Sequence, residues 1–212
     1  MVKELKVLID KLNKNCTYLV LRNWDTIYDE ESYLSGSDDI DVLCDNKKAF
    51  IELTRAIPVH KNGRSDNYLI PCGSSYVHFD IRWVGDGYYP KEWEKKMLDN
   101  RIMSELGFYV LSNQDYGYSI AYHALLQKRE LSEKYDRILN DFFGGYYNDS
   151  INARKDSYLG KLYLFLKDNS YGISYPHDPG VRLNVVNIRG PYRWVRFRLL
   201  LRQYYQFIKA YL

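Results

Sequence analysis

The stretch Asp39-Ile40-Asp41-Val42-Leu43, delivered by Ser35-Gly36-Ser37-Asp38, constrains this chain more than any other. In an extended segment successive side chains point to opposite faces, so Asp39 and Asp41 project one way while Ile40 and Val42 project the other. Two carboxylates then share one small patch beside an apolar face. Like charges held that close repel, and one must take up a proton unless a cation lies between them. A divalent metal is the simplest remedy. The plain alternative is a polar turn entering an ordinary strand, because Ser, Gly and Asp dominate turns and a lone Asp-x-Asp is a weak pattern.

A third carboxylate supports the metal. Tyr76-Val77-His78-Phe79-Asp80-Ile81-Arg82-Trp83-Val84 alternates strictly, with Val77, Phe79, Ile81 and Trp83 on one face and Tyr76, His78, Asp80 and Arg82 on the other. If this strand lies beside the one carrying Asp39 and Asp41, three carboxylates converge at a site suited to one or two Mg²⁺ ions, which prefer hard oxygen ligands. The competing reading of Asp80 is a salt bridge to Arg82 on a solvated sheet face, an arrangement worth little. His78 reads as a polar-face residue, since such a site has little use for imidazole and a zinc site would want more nitrogen or sulfur ligands.

Taken in order over about residues 15 to 128, strand, Gly-Ser turn, Asp-x-Asp, helix, strand pair and Asp-bearing strand resemble the nucleotidyltransferase superfamily typified by DNA polymerase beta. The chain is most similar there to small bacterial-type members associated with surface-glycan functions. The resemblance implies a small mixed sheet in which Asp39, Asp41 and Asp80 hold Mg²⁺, bind a nucleoside triphosphate and catalyse nucleotidyl transfer to a hydroxyl or phosphate acceptor. A sugar phosphate, a polyol phosphate or a lipid-linked glycan is the acceptor it suggests. Members usually carry a Gly-Ser pair at the end of the strand before the acids, where it holds phosphates; after Tyr18-Leu19-Val20-Leu21 this chain has Arg22-Asn23-Trp24 instead.

Phosphate binding can pass to Arg22, whose guanidinium forks onto phosphate oxygens. Gly36-Ser37 reads as the turn that delivers the acids, with Ser37 a further phosphate ligand. A helix after the third Asp can present a lysine to the triphosphate in related enzymes, and Lys128 is the matching residue. Its alternative is a solvated lysine after a buried histidine, His123. Two other functions stay open: a protein-modifying nucleotidyltransferase of the toxin-antitoxin type, and a non-catalytic scaffold of the same fold. Intact acids argue against the scaffold; the missing Gly-Ser argues for it.

Composition bounds the rest. The 212 residues can bury a substantial core, the hydrophobic fraction of 46% excludes global disorder, and no apolar run is long enough to cross a bilayer. The N-terminus lacks the apolar stretch of a secretory signal. Cys16, Cys44 and Cys72 are widely spaced without a Cys-x-x-Cys pair, the pattern of reduced thiols in a cytoplasmic protein. A net charge of +3 with no compact nucleic-acid module argues against a nucleic-acid partner. The basic charge concentrates at the end, where Arg189, Arg193, Arg196, Arg198, Arg202 and Lys209 occur with no acid among them. Between large apolar residues, that pattern fits either a packed final helix or one resting on an anionic membrane.

The fold class expected is α+β, a nucleotidyltransferase-like α/β core over residues 1–112 followed by a helical region over 113–212. Helices are expected at 2–14, 46–54 and 90–100, and strands at 17–22, 39–44, 57–61, 67–71, 76–84 and near 107–111. Beyond them the helical spans are 115–129, 132–143, 151–168 and 190–211, with Ser132 as a start and Gly144 as a stop.

Overall fold

The computed structural model describes residues 2–24, 27–28, 39–60, 66–144, 149–178 and 180–188, and within the final segment 194, 197–198, 200–201 and 204–205. The chain divides into two compact units, residues 1–116 with 176–180 and residues 117–175 with 181–212.

The first unit is built on a seven-stranded mixed sheet of order β3-β4-β5-β2-β1-β7-β6. Its strands are β1 Tyr18–Val20, β2 Ile40–Cys44, β3 Ile57–Pro58, β4 Asn67–Cys72, β5 Ser75–Trp83, β6 Ile102–Met103 and β7 Tyr109–Val110. Alternation sets the core: Val77, Phe79 and Ile81 of β5 are buried with Ile40, Val42 and Cys44 of β2 and Val20 of β1. Because β2 is buried on both faces, its polar residue must find partners inside the protein. Helix α1, Val2–Asn15, buries Leu5, Ile9 and Leu12 at helical spacing. Helix α2, Lys47–Thr54, starts where the Asn46 side chain accepts from Ala49 N, and helix α3, Lys91–Asp99, follows Pro90. The main strands lie where alternation places them. The span expected at 57–61 shrinks to the short β3, paired to β4 through Ile57 and Pro58.

Helix α4, Asn113–Tyr122, leads into the second unit, which holds α5 Glu133–Phe143 and α6 Ile151–Asp168. Ser132 caps α5 by accepting from Tyr135 N, and Gly144 ends it in the left-handed conformation at φ 66°. The helix expected through residue 129 instead widens into a π turn, His123–Gln127. A wider turn leaves carbonyls without their usual partners. Asn187 Nδ2 donates to Leu125 O at 2.6 Å, Asn184 N to Leu126 O at 2.6 Å, and Asn184 Nδ2 to the carbonyls of Lys128 and Arg129. At Gly117 an added Cβ would lie 2.3 Å from the Phe142 ring, so only glycine lets α5 approach so closely. Tyr118 stacks on Phe165 at 3.9 Å, and Asp136 of α5 pairs with Arg154 of α6 while accepting from the Tyr158 hydroxyl. The architecture is α+β, a mixed-sheet core followed by helices. Of the span expected as a helix over 190–211, the described positions are helical and the rest lie outside the described residues.

Candidate metal and nucleotide site

Strands β2 and β5 run parallel in a register that places Asp41 opposite Asp80. Asp39, just before β2, faces the same way. One carboxylate oxygen from each of the three lies within 4.8 Å of the others. Asp39 is exposed, whereas Asp41 is 3% and Asp80 8% exposed, so two of the charges are taken from water.

Burial raises the pKa of Asp80 to about 7, with Arg82 opposing and the Asp41 charge adding to the rise. Burial raises Asp41 as well, against the pull of Arg22 and with a further push from Asp39. Among the described residues, Asp80 Oδ1 is buried without a hydrogen-bond partner. Three oxygen donors converging beside such an orphan acceptor fit a hard divalent cation.

Two arginines offset these charges. Leu21 N donates to Asp41 O at 2.8 Å, which places the next side chain, Arg22, against the Asp41 carboxylate: its Nη2 donates to Oδ1 at 2.5 Å and to the Tyr88 hydroxyl at 3.1 Å. Arg82 Nη2 donates to Asp80 Oδ2 at 2.7 Å and to Asp178 Oδ2 at 3.2 Å, and its Nη1 to Asp66 Oδ2 at 3.2 Å. Asp66 also takes Lys47 Nζ at 2.6 Å. The Tyr88 ring lies 4.4 Å from the Arg82 guanidinium, a cation–π contact that shields it from water. The Asp80–Arg82 pair thus exists, but on a buried face and not on the solvated one that the salt-bridge reading supposed.

Tyr88 is delivered by the turn Gly85-Asp86-Gly87-Tyr88-Tyr89. A flexible turn is one reading of that sequence; the structure shows it pinned. Asp86 Oδ1 accepts from Tyr88 N at 2.7 Å, Glu94 of α3 accepts from Gly85 N at 2.7 Å and Tyr89 N at 3.0 Å, and His177 N donates to Asp86 O at 2.8 Å. Glycine is needed at Gly85 and Gly87, where φ is 93° and 79°.

Of the residues read from sequence, Asp39, Asp41, Asp80 and Arg22 come together. Ser37 lies outside the described residues. Lys128 is exposed in the second unit, directly after the π turn. Where the resemblance would put glycine after β1, Asn23 takes a left-handed φ of 56°, a conformation that asparagine tolerates best after glycine. Sequence reasoning missed Asp66, Asp178 and Tyr88 as parts of the cluster. For Asp66 a signal existed in its position next to β4, whereas Asp178 lies 96 residues from Arg82 and no local pattern announces it.

No family profile and no curated protein matches the chain. Among solved structures the chain is similar to the antibiotic-resistance factor ANT(2'')-Ia, whose solution structure reveals substrate-regulated conformation dynamics. The two share 12% identity over 80% of this chain and 96% of that one, with a TM-score of 0.40. Likeness of that degree assigns neither family nor activity.

Proposed function

We propose that the chain is a Mg²⁺-dependent nucleotidyltransferase that moves a nucleotidyl group from a nucleoside triphosphate to a hydroxyl or phosphate acceptor. The observation that carries the proposal is the pairing of Asp41 with Asp80 across β2 and β5, with Asp39 alongside and an Asp80 oxygen that has no hydrogen-bond partner among the described residues. Asp39, Asp41 and Asp80 would hold the metal. When bound, Mg²⁺ neutralises triphosphate charge and lowers the pKa of an attacking hydroxyl.

The protein's own residues supply the rest. Asp80 is also the nearest candidate base in this proposal: it takes the proton from the acceptor hydroxyl as the hydroxyl oxygen attacks the α-phosphorus and pyrophosphate leaves. Arg22 is the phosphate-binding arginine in this proposal, held beside Asp41 with the Tyr88 hydroxyl against it, while Arg82 is committed to Asp80, Asp66 and Asp178. Ser37 is a further phosphate ligand in this proposal. The acceptor class, a sugar phosphate, polyol phosphate or glycan in surface-glycan biosynthesis, rests on the resemblance of the acid-bearing strands. A cytoplasmic setting is supported by the three cysteines, none of which forms a disulfide.

A second reading has its own observation: Arg22 and Arg82 already offset Asp41 and Asp80, so the cluster can persist without an ion, as a non-catalytic scaffold would require. Incubation with Mg²⁺ and each nucleoside triphosphate, with and without candidate sugar phosphates, separates the two. Mg²⁺-dependent pyrophosphate release is the expected result. Its absence with every nucleotide and acceptor leaves the scaffold.

A further inference from the structure

We propose that the final segment docks on an anionic lipid surface. Among its described residues, Trp194, Phe197, Leu200, Leu201, Tyr204 and Tyr205 are helical, and each is about half exposed or more, Trp194 reaching 75%. At 3.6 residues per turn these six fall on one face, within an arc of roughly 140°. Six large apolar side chains exposed along one helix face mark an interaction surface, because scattered single exposures do not line up on a helix.

Charge identifies the occupant. From residue 179 to residue 212 the chain has Arg182, Arg189, Arg193, Arg196, Arg198, Arg202 and Lys209 and no acidic residue. A second copy seated on this face would set two segments of one sign together with no carboxylate to offset them. A lipid surface of negative charge offsets all of them, and each basic residue near it strengthens binding several-fold. Trp and Tyr suit that surface further, since their rings sit in the acyl boundary while their N–H and O–H groups reach water and headgroups. Basic residues recur every few positions from Arg189 to Arg202, too often for a segment spanning the hydrocarbon core, so the contact is one of lying on the surface.

The docking stands apart from the nucleotidyl transfer proposed above, and its test reads binding alone. The full chain is co-sedimented with phosphatidylcholine vesicles of rising phosphatidylserine content, alongside Arg198→Glu and the triple variant Trp194→Ser, Phe197→Ser, Leu201→Ser. All four sites are exposed, and unchanged thermal melts check that folding survives. Binding is expected to climb with phosphatidylserine, to weaken in added salt, and to fall roughly tenfold or more in both variants. Three results overturn the proposal: no vesicle binding at any composition, equal binding to neutral vesicles, or a dimer in light scattering that the triple variant dissolves. In the first of these, capture by polyglutamate would assign the face to an acidic protein.

Discussion

Asp41 sits under two opposed pressures: burial favours its protonated form, while the Arg22 guanidinium at 2.5 Å favours its charge. Asp39 is exposed and adds only repulsion. The two acids therefore separate on mutation. Asp39→Asn is expected to abolish turnover and leave stability unchanged or slightly raised, since it removes a like charge. Asp41→Asn is expected to abolish turnover and cost on the order of 2 kcal/mol, since it leaves a buried guanidinium short of its counter-charge. Urea melts in EDTA beside activity assays check both, and full activity in both variants would remove the metal site. Asp80→Ala is expected to slow chemistry by at least about a hundredfold with far less effect on nucleotide affinity, because a group acting on the acceptor matters mostly in the transition state. Calorimetric titration against single-turnover rates checks this; equal losses would place Asp80 in ground-state binding.

At the scale of elements, the turn after β5 is tied to α3 by a buried pair of acids. Burial and the neighbouring Asp86 raise Glu94 to about 8, and burial raises Asp86 too. A raised carboxyl pKa means that the folded protein keeps a proton which the unfolded chain releases. That stability is fully present below the ordinary carboxylate range and is lost as pH climbs through about 8. The urea midpoint of the metal-free protein is therefore expected to fall between about pH 5 and pH 9, and Glu94→Gln to flatten that fall. Glu94→Ala is expected to cost roughly 2 kcal/mol by stranding the Gly85 and Tyr89 amides. A pH profile identical in the wild type and Glu94→Gln would show that the pair does not titrate in this range.

For the whole molecule, the proposed metal site would couple ion binding to global stability. With Asp80 at about 7, the metal-free protein holds a proton there that the unfolded chain has lost above the carboxylate range. Its stability accordingly declines as pH rises through about 7, and Mg²⁺, which competes with that proton, stabilises more as pH rises. Calorimetric melts with and without Mg²⁺ from about pH 6 to about pH 8 are expected to show a growing shift, roughly constant in Asp80→Asn. A wild-type shift that ignores pH would exclude Asp80 as a ligand.

What the sequence by itself determined was whatever a residue's near neighbours decide. Alternation over Tyr76–Val84 placed β5 and turned Asp80 and Arg82 to one face; Ser132 and Gly144 bounded α5, because a cap needs only the amides or carbonyls of its own helix. Local spacing also put Asp39 and Asp41 on one side of β2. Only the tertiary structure decided that β2 and β5 are adjacent and in a register opposing Asp41 to Asp80, and that Arg82 is held by acids as distant in sequence as Asp178. It likewise decided that the Asp80 face is buried, which is what raises its pKa and makes a salt bridge and a metal site compatible readings of the same residues. The π turn at His123–Gln127 belongs with these, since its carbonyls are satisfied from Asn184 and Asn187 some sixty residues on. The physical reason is common to all of them: burial and long-range pairing depend on how the chain closes on itself, and no short stretch of residues carries that information.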